Sequence, residues 1–213
     1  VTKPEVIALP AVGELAASEL DRAARSVEGG SVLLYPTDTI YGLGCDALNR
    51  SSVERVYAVK RRPEEKPMIV LVHSVEAAER LAGGLGARAR ALAEAFWPGP
   101  LTLLVKADSG RIPWLAGPTG KIGIRFPDHR FCRRLMEASG RPLLSTSANI
   151  SGEPYDGAPQ RLRELFAGSV DLIVDAGALP PSAPSTIVDA SGERPVLVRE
   201  GALEAWRLAG HFA

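Results

Sequence analysis

Four cations fall within seven residues at Lys60, Arg61, Arg62 and Lys66, and Pro63 and Pro67 fix the turn that carries them. A rigid turn presenting several cations suits a polyphosphate. The same charges also suit a solvated helix C-terminus, where the dipole favours them. Two further arginines, Arg125 and Arg199, end short apolar stretches, Ile122–Phe126 and Val196–Arg199. With the basic turn they outline a convergent anion site. Hydroxyls gather in Tyr35-Pro36-Thr37-Asp38-Thr39-Ile40-Tyr41-Gly42-Leu43-Gly44 and in Ser145-Thr146-Ser147-Ala148-Asn149-Ile150-Ser151. They supply hydrogen bonds without net charge, and glycines let a backbone approach a ligand. No GxSxG elbow is present, and His73, His129 and His211 are dispersed, so these hydroxyls read as binding groups rather than nucleophiles. Asp38 either bears on a metal or organises its loop through backbone amides, and the second reading is preferred.

The elements that must position these groups follow from periodicity. Apolar residues three and four apart predict a helix from about Gly13 to Glu28, closed by Gly29-Gly30. A strand at Ser31–Tyr35 leads into the first hydroxyl-rich stretch, which reads as a loop and pocket floor. Ser51-Ser52-Val53-Glu54 has capping-box spacing and starts a helix through Val59. Met68–Val72 is continuously apolar, as in a strand buried on both faces. Helices are expected from Ser74 to Leu81, over Ala87–Phe96, Phe131–Ala138 and Pro159–Phe166, and at Leu203–Leu208. Strands are expected at Leu101–Val105, Ile122–Phe126, Leu143-Leu144, Leu172–Asp175, Thr186–Asp189 and Val196–Arg199. Trp97-Pro98-Gly99-Pro100 is a turn. The expected fold is α/β: one domain over residues 1–213, with a twisted mixed parallel and antiparallel sheet, flanking helices and a central cleft.

Composition excludes several classes. Lys plus Arg and Asp plus Glu are 25 each, so the chain lacks the basic excess of a general nucleic-acid binder. Cys45 and Cys132 have no zinc-ligand spacing and read as small buried residues. No apolar run approaches the roughly 20 residues that span a bilayer, and no leader pattern is evident, so a soluble cytoplasmic protein is expected. Gly42-Leu43-Gly44-Cys45-Asp46-Ala47 matches a dinucleotide fingerprint, but Pro36–Tyr41 separates it from the strand and no helix follows until Ser51. A dehydrogenase reading is set aside.

Taken in order, Pro36–Leu43, Lys60-Arg61-Arg62, Trp97–Thr102, Ile122–Arg125, Ser147-Ala148-Asn149, Pro184–Asp189 and Leu197–Gly201 resemble the YrdC-like threonylcarbamoyl-adenylate synthases. The resemblance runs from about Val32 to Gly201 and looks like the short, single-domain form. It implies formation of threonylcarbamoyl-AMP and pyrophosphate from L-threonine, bicarbonate and ATP with Mg²⁺. The product would pass to a transferase complex that makes N6-threonylcarbamoyladenosine in tRNA. By resemblance, Lys60 and Arg62 are catalytic cations near the phosphates and carbamate. Thr37, Arg125, Ser147 and Ser185 contact threonine or carbamate, with Arg125 suited to the carboxylate. Asn149, Arg199 and Lys121 contact ATP, and Lys66 is added to the threonine and carbamate set from its place in the basic turn. The metal ligands stay open, and residues 176–185 are a candidate lid. Competing readings are a double-stranded RNA-binding module, with a basic groove from Arg61, Arg62, Arg133 and Arg134, and a carbamoyl-adenylate step in hydrogenase maturation.

Overall fold

The computed structural model describes all residues except 1, 2, 11–14, 109 and 213. Ten strands form one sheet: β1 (Glu5–Ala8), β2 (Leu33–Pro36), β3 (Tyr41–Asp46), β4 (Ile69–Leu71), β5 (Leu101–Lys106), β6 (Lys121–Arg125), β7 (Leu143–Ser147), β8 (Leu172–Asp175), β9 (Thr186–Asp189) and β10 (Val196–Arg199). Their spatial order is β1-β8-β2-β3-β7-β4-β6-β5-β9-β10. The β1–β8, β2–β8, β4–β6 and β5–β9 pairs are parallel and the rest antiparallel, so the sheet is mixed, as expected. The helices are α1 (Ala17–Glu28), α2 (Arg50–Lys60), α3 (Val75–Ala82), α4 (Ala87–Phe96), α5 (Arg130–Ser139), α6 (Pro159–Phe166) and α7 (Ala205–Leu208).

Two apolar clusters cover the two faces of this sheet. Leu20, Ala23, Ala24 and Val27 of α1 and Phe131, Cys132, Leu135 and Met136 of α5 pack with Leu33, Tyr35, Leu71 and Leu143. The other cluster holds Val53 and Val56 of α2, Leu81, Leu92, Leu162 and Leu208 against Leu34, Leu43, Val70 and Ile124. Strand residues two apart therefore serve one face and their neighbours the other. Cys45 and Cys132 are buried free thiols, as read from the sequence.

Three expectations are corrected. The first hydroxyl-rich stretch is not one long loop: only Thr37–Ile40 turns, and Tyr41–Asp46 returns as β3, paired with both β2 and β7. Glycines disguise this strand because they lack β propensity, yet their smallness is what the pairing needs. A Cβ on Gly44 would stand 2.1 Å from the Leu144 carbonyl oxygen and 3.0 Å from the Tyr35 ring. Likewise Ser145–Ser147 belongs to β7 rather than to a loop. The cap of α2 is Asn49, whose Oδ1 accepts from Ser52 N–H (3.2 Å), while Glu54 takes Arg50 instead of closing a capping box. Strand β1 carried no sequence signal strong enough to be read. The expected start of the first helix at Gly13 lies outside the described residues.

Gly44→Ala is expected to lower stability by about 3 kcal/mol or more, because β3 and β7 must part, and the midpoint of thermal unfolding by roughly 6–12 °C. Gly86→Ala, with nothing within 4 Å of the added carbon, serves as the control. Equal midpoints for the two variants would remove the packing explanation.

Candidate active site

Helices α1 and α5 leave part of their sheet face open, and a cleft of about 220 Å³ lies there. Its lining comes from the β2–β3 turn (Thr37, Thr39, Ile40), β4 (Ile69, Leu71), β6 (Arg125), β7 (Ser145, Ser147), the basic turn (Arg62) and the β9–β10 corner (Ser185, Ile187, Arg199). Period-two alternation puts Ser145 with Ser147, and Ile69 with Leu71, on one face. The lining holds three guanidinium groups and several hydroxyls, with no carboxylate and no imidazole.

Arg125 is 3% exposed and held from three sides. Its Nε donates to the Gly99 carbonyl (3.0 Å), Nη1 to Thr39 Oγ1 (3.1 Å) and Nη2 to Asp38 Oδ1 (2.6 Å). Gly99 belongs to the turn after α4 and is fixed by its own N–H on Phe126 O (2.8 Å). Asp38 thus ion-pairs with a guanidinium, which replaces the expected pairing with backbone amides. Thr37 Oγ1 donates to Ile40 O (2.7 Å) and accepts from the Thr39 and Ile40 N–H groups, so it shapes the turn that it also presents to the cleft. Tyr35 OH donates to Ser145 Oγ (2.8 Å), and burial pushes this phenol's pKa far up, keeping it neutral.

Lys60 is not one of several cations displayed by an exposed turn. It ends α2 at 1% exposure, behind the cleft lining. Its Nζ donates to Ser147 O (2.5 Å), Asn149 O (2.8 Å) and Asn149 Oδ1 (3.0 Å), so all three ammonium donors are engaged. Ser147 Oγ donates to the same Asn149 Oδ1 (2.6 Å), and Asn149 Nδ2 to Glu153 O (2.6 Å). Asn149 is thereby turned away from the cleft and into this clamp. Arg62 does reach the lining, with Nε on Lys66 O (2.8 Å) and Nη2 on Pro67 O (3.1 Å). Lys66 itself is exposed and contributes its carbonyl to that stitch.

Ser185 Oγ shares a hydrogen bond with Thr102 Oγ1 (2.8 Å), and Arg199 Nη2 donates to Ser185 O (2.7 Å). Burial, helped by the Arg125 charge, lowers the Arg199 pKa, which marks the two guanidiniums as near neighbours. Lys121 falls outside. It starts β6 and Arg125 ends it, about 13 Å along an extended strand, and its Nζ pairs with Asp189 Oδ2 (2.6 Å). The segment after β8 is tied at one end by Tyr41 OH, which donates to Gly177 O (2.9 Å) and accepts from Ala176 N–H (2.8 Å), and at the other by Ser185. Thr39 and Ser145 also line the cleft; the sequence places both among the binding hydroxyls without a contact of their own, and reading 145–147 as a strand pairs Ser145 with Ser147. Among the described residues no group of three or more Asp, Glu, His or Cys side chains could hold a metal ion, and no helix is long and apolar enough to cross a membrane.

Comparison with known proteins bears on this cleft. A family model for Sua5, YciO and YrdC proteins, described as telomere recombination, matches residues 25–201. The chain is 36% identical over 181 residues to a threonylcarbamoyl-AMP synthase of Pyrococcus abyssi, covering 85% of this chain and 53% of that protein. It is 37% identical over 172 residues to one from Marinobacter nauticus, covering 80% and 90%. The solved structure of P. abyssi Sua5 complexed with L-threonine superposes with a TM-score of 0.90 at 32% identity, covering 98% of this chain and 61% of that one. The chain spans about half the length of the P. abyssi and Bacillus subtilis synthases that it matches.

Lys60 also gives a pH signature. Burial, with the neighbouring Arg62 charge, lowers its pKa from 10.5 to about 8. Below pH 8 both folded and unfolded chains hold the proton, and the burial penalty is fully present. Between about 8 and 10.5 the unfolded chain binds a proton that the folded chain has released, so this group's contribution rises with pH. Denaturant unfolding of wild type and Lys60→Met at pH 7.5 and 10 should show the difference shifting in favour of wild type at pH 10. A pH-independent difference would mean that the ammonium keeps its ordinary pKa.

Proposed function

The chain belongs to the Sua5/YciO/YrdC family, and on that premise we propose that it is an L-threonylcarbamoyladenylate synthase. The observation that carries this reading is the meeting of Arg62, Arg125 and Arg199 with Thr37, Thr39, Ser145, Ser147 and Ser185 around one cleft free of carboxylates and imidazoles. Such a lining binds and orients anions but offers no general base of the usual kind.

The proposed reaction matches those means. The threonine amine adds to bicarbonate with loss of water, giving a carbamate. A carbamate oxygen then bonds to the α-phosphorus of ATP as the bond to the bridging oxygen of pyrophosphate breaks. Both reactants are anions, so bringing them together and offsetting their charge is the main task. Arg125 suits the amino-acid carboxylate, with Thr37 and Ser147 beside it; Arg62 and Arg199 suit the phosphates. Lys60 and Asn149 act through the loop that they clamp. Mg²⁺ would enter with ATP as part of the substrate and would offset phosphate charge; the cleft lining itself offers no acidic side chain. The product would serve a tRNA-modifying transferase complex acting in the cytoplasm. The double-stranded RNA reading is not favoured: the net charge is zero, and Arg62 is engaged at the cleft while Arg133 and Arg134 belong to α5.

Pyrophosphate release from ATP is expected to require both L-threonine and bicarbonate; release indifferent to either would sink the reading. Arg62→Ala should lower turnover by about 100-fold with little change in the thermal midpoint, because its carbonyl partners lie on an exposed turn. Lys121→Ala should leave the KM for ATP within about twofold of wild type, and a rise beyond tenfold would return Lys121 to the nucleotide.

A further inference from the structure

Asp38 does not line the cleft, yet it makes the shortest of the three bonds to the one cation in the cleft that is almost wholly buried. We propose that Asp38 is a positioning residue that sets the orientation of Arg125, and through it the requirement for a free carboxylate on the amino-acid substrate. This rests on the synthase reading above.

A guanidinium carries five N–H donors in a rigid planar fork. Three are already engaged, by Gly99 O, Thr39 Oγ1 and Asp38 Oδ1. One N–H remains on each of Nη1 and Nη2, and Arg125 lines the cleft, so the guanidinium keeps donor capacity for an anion there. The three acceptors differ in strength. Gly99 O and Thr39 Oγ1 are neutral, while Asp38 supplies a charge-assisted bond at 2.6 Å with its own side chain only 13% exposed.

Thr39 Oγ1 is coupled to the same frame, since it lies 3.2 Å from Thr37 Oγ1, whose proton goes to Ile40 O. Asp38, Thr39 and Thr37 are consecutive members of one four-residue turn, so the turn and the guanidinium fix each other. Burial lowers the His129 pKa and the Asp38 charge opposes that shift, while burial raises the Cys132 pKa and the Asp38 charge adds to it. Removing the carboxylate frees the guanidinium to rotate about its long stem. The amino-acid carboxylate then loses a cation held in a fixed orientation, whereas the nucleotide side of the cleft, served by Arg62 and Arg199, is untouched.

The test compares wild type, Asp38→Ala and Asp38→Asn in pyrophosphate release, with L-threonine and L-threoninamide as substrates, alongside thermal unfolding. For Asp38→Ala the KM for threonine should rise between about 10- and 100-fold, the size of one charge-assisted bond. The kcat and the KM for ATP should stay within about twofold. The preference for threonine over threoninamide should shrink in step. Asp38→Asn keeps the shape and one acceptor, so its rise should be smaller, and it is the variant to read if Asp38→Ala does not fold. An unchanged threonine KM in both variants overturns the proposal. A lowered KM also overturns it, because Asp38 would then merely screen Arg125. Parallel falls in kcat and both substrates' binding, tracking the thermal midpoint, would assign a general structural role instead. Wild type that releases no pyrophosphate with threonine and bicarbonate removes the synthase reading, and this proposal with it.

Discussion

A guanidinium withdrawn from water on an open sheet face must be repaid locally, and the organisation of this protein follows from how Arg125 is repaid. Desolvating an unpaired charge costs several kcal/mol, a large share of a small domain's net stability, so a buried arginine is expected where most of its donors are met. Here the acceptors come from three places: a carboxylate and a hydroxyl in the β2–β3 turn and a carbonyl in the turn after α4. Those turns are 60 residues apart in sequence, and the cation holds them at one end of β6. The cleft exists because they converge there without a helix on top.

Lys60 is the second buried cation and works differently. Where Arg125 keeps two donors free, Lys60 has all three engaged, on the backbone and side chain that follow β7. It fixes where the Ser147–Asn149 segment leaves the sheet, and so where the Ser147 hydroxyl stands. The four cations of the basic turn are thus divided: Lys60 is sunk into the structure as a clamp, and Arg62 alone reaches the lining. Beside β7 lies β3, whose glycines allow Tyr35 to lie over the strand and bond to Ser145.

The resulting site is built for binding and alignment rather than for proton transfer. Its cations are guanidiniums, its hydroxyls are oriented by fixed partners, and none of the three histidines is among its lining residues. Chemistry that joins two anions needs those means more than it needs a base, since the principal barrier is bringing like charges together in line.

By itself the sequence determined the mixed α/β class, the limits of most helices and of the strands that are not rich in hydroxyls, β1 excepted, and the two arginines at strand ends. Those features rest on local periodicity and on turn residues, which act over a few positions. It also carried the ordered motifs that resemble the family. What only the tertiary structure decided was the use of each polar group. The hydroxyl-rich segments looked like loops because glycine and serine are poor strand formers, and only pairing with β2, β7 and β4 made them strands. By residue type and motif, Lys60 and Lys121 looked like ligand-binding cations in the same way as Arg62. Their burial or exclusion depends on which carbonyls and carboxylates come near from 68 to 89 residues away. Asp38 had no partner in sight until Arg125 arrived from 87 residues along the chain. Charge and hydrogen-bonding capacity belong to the residue, but desolvation and the available partner belong to the fold, and these two decide whether a group binds a ligand or holds the chain.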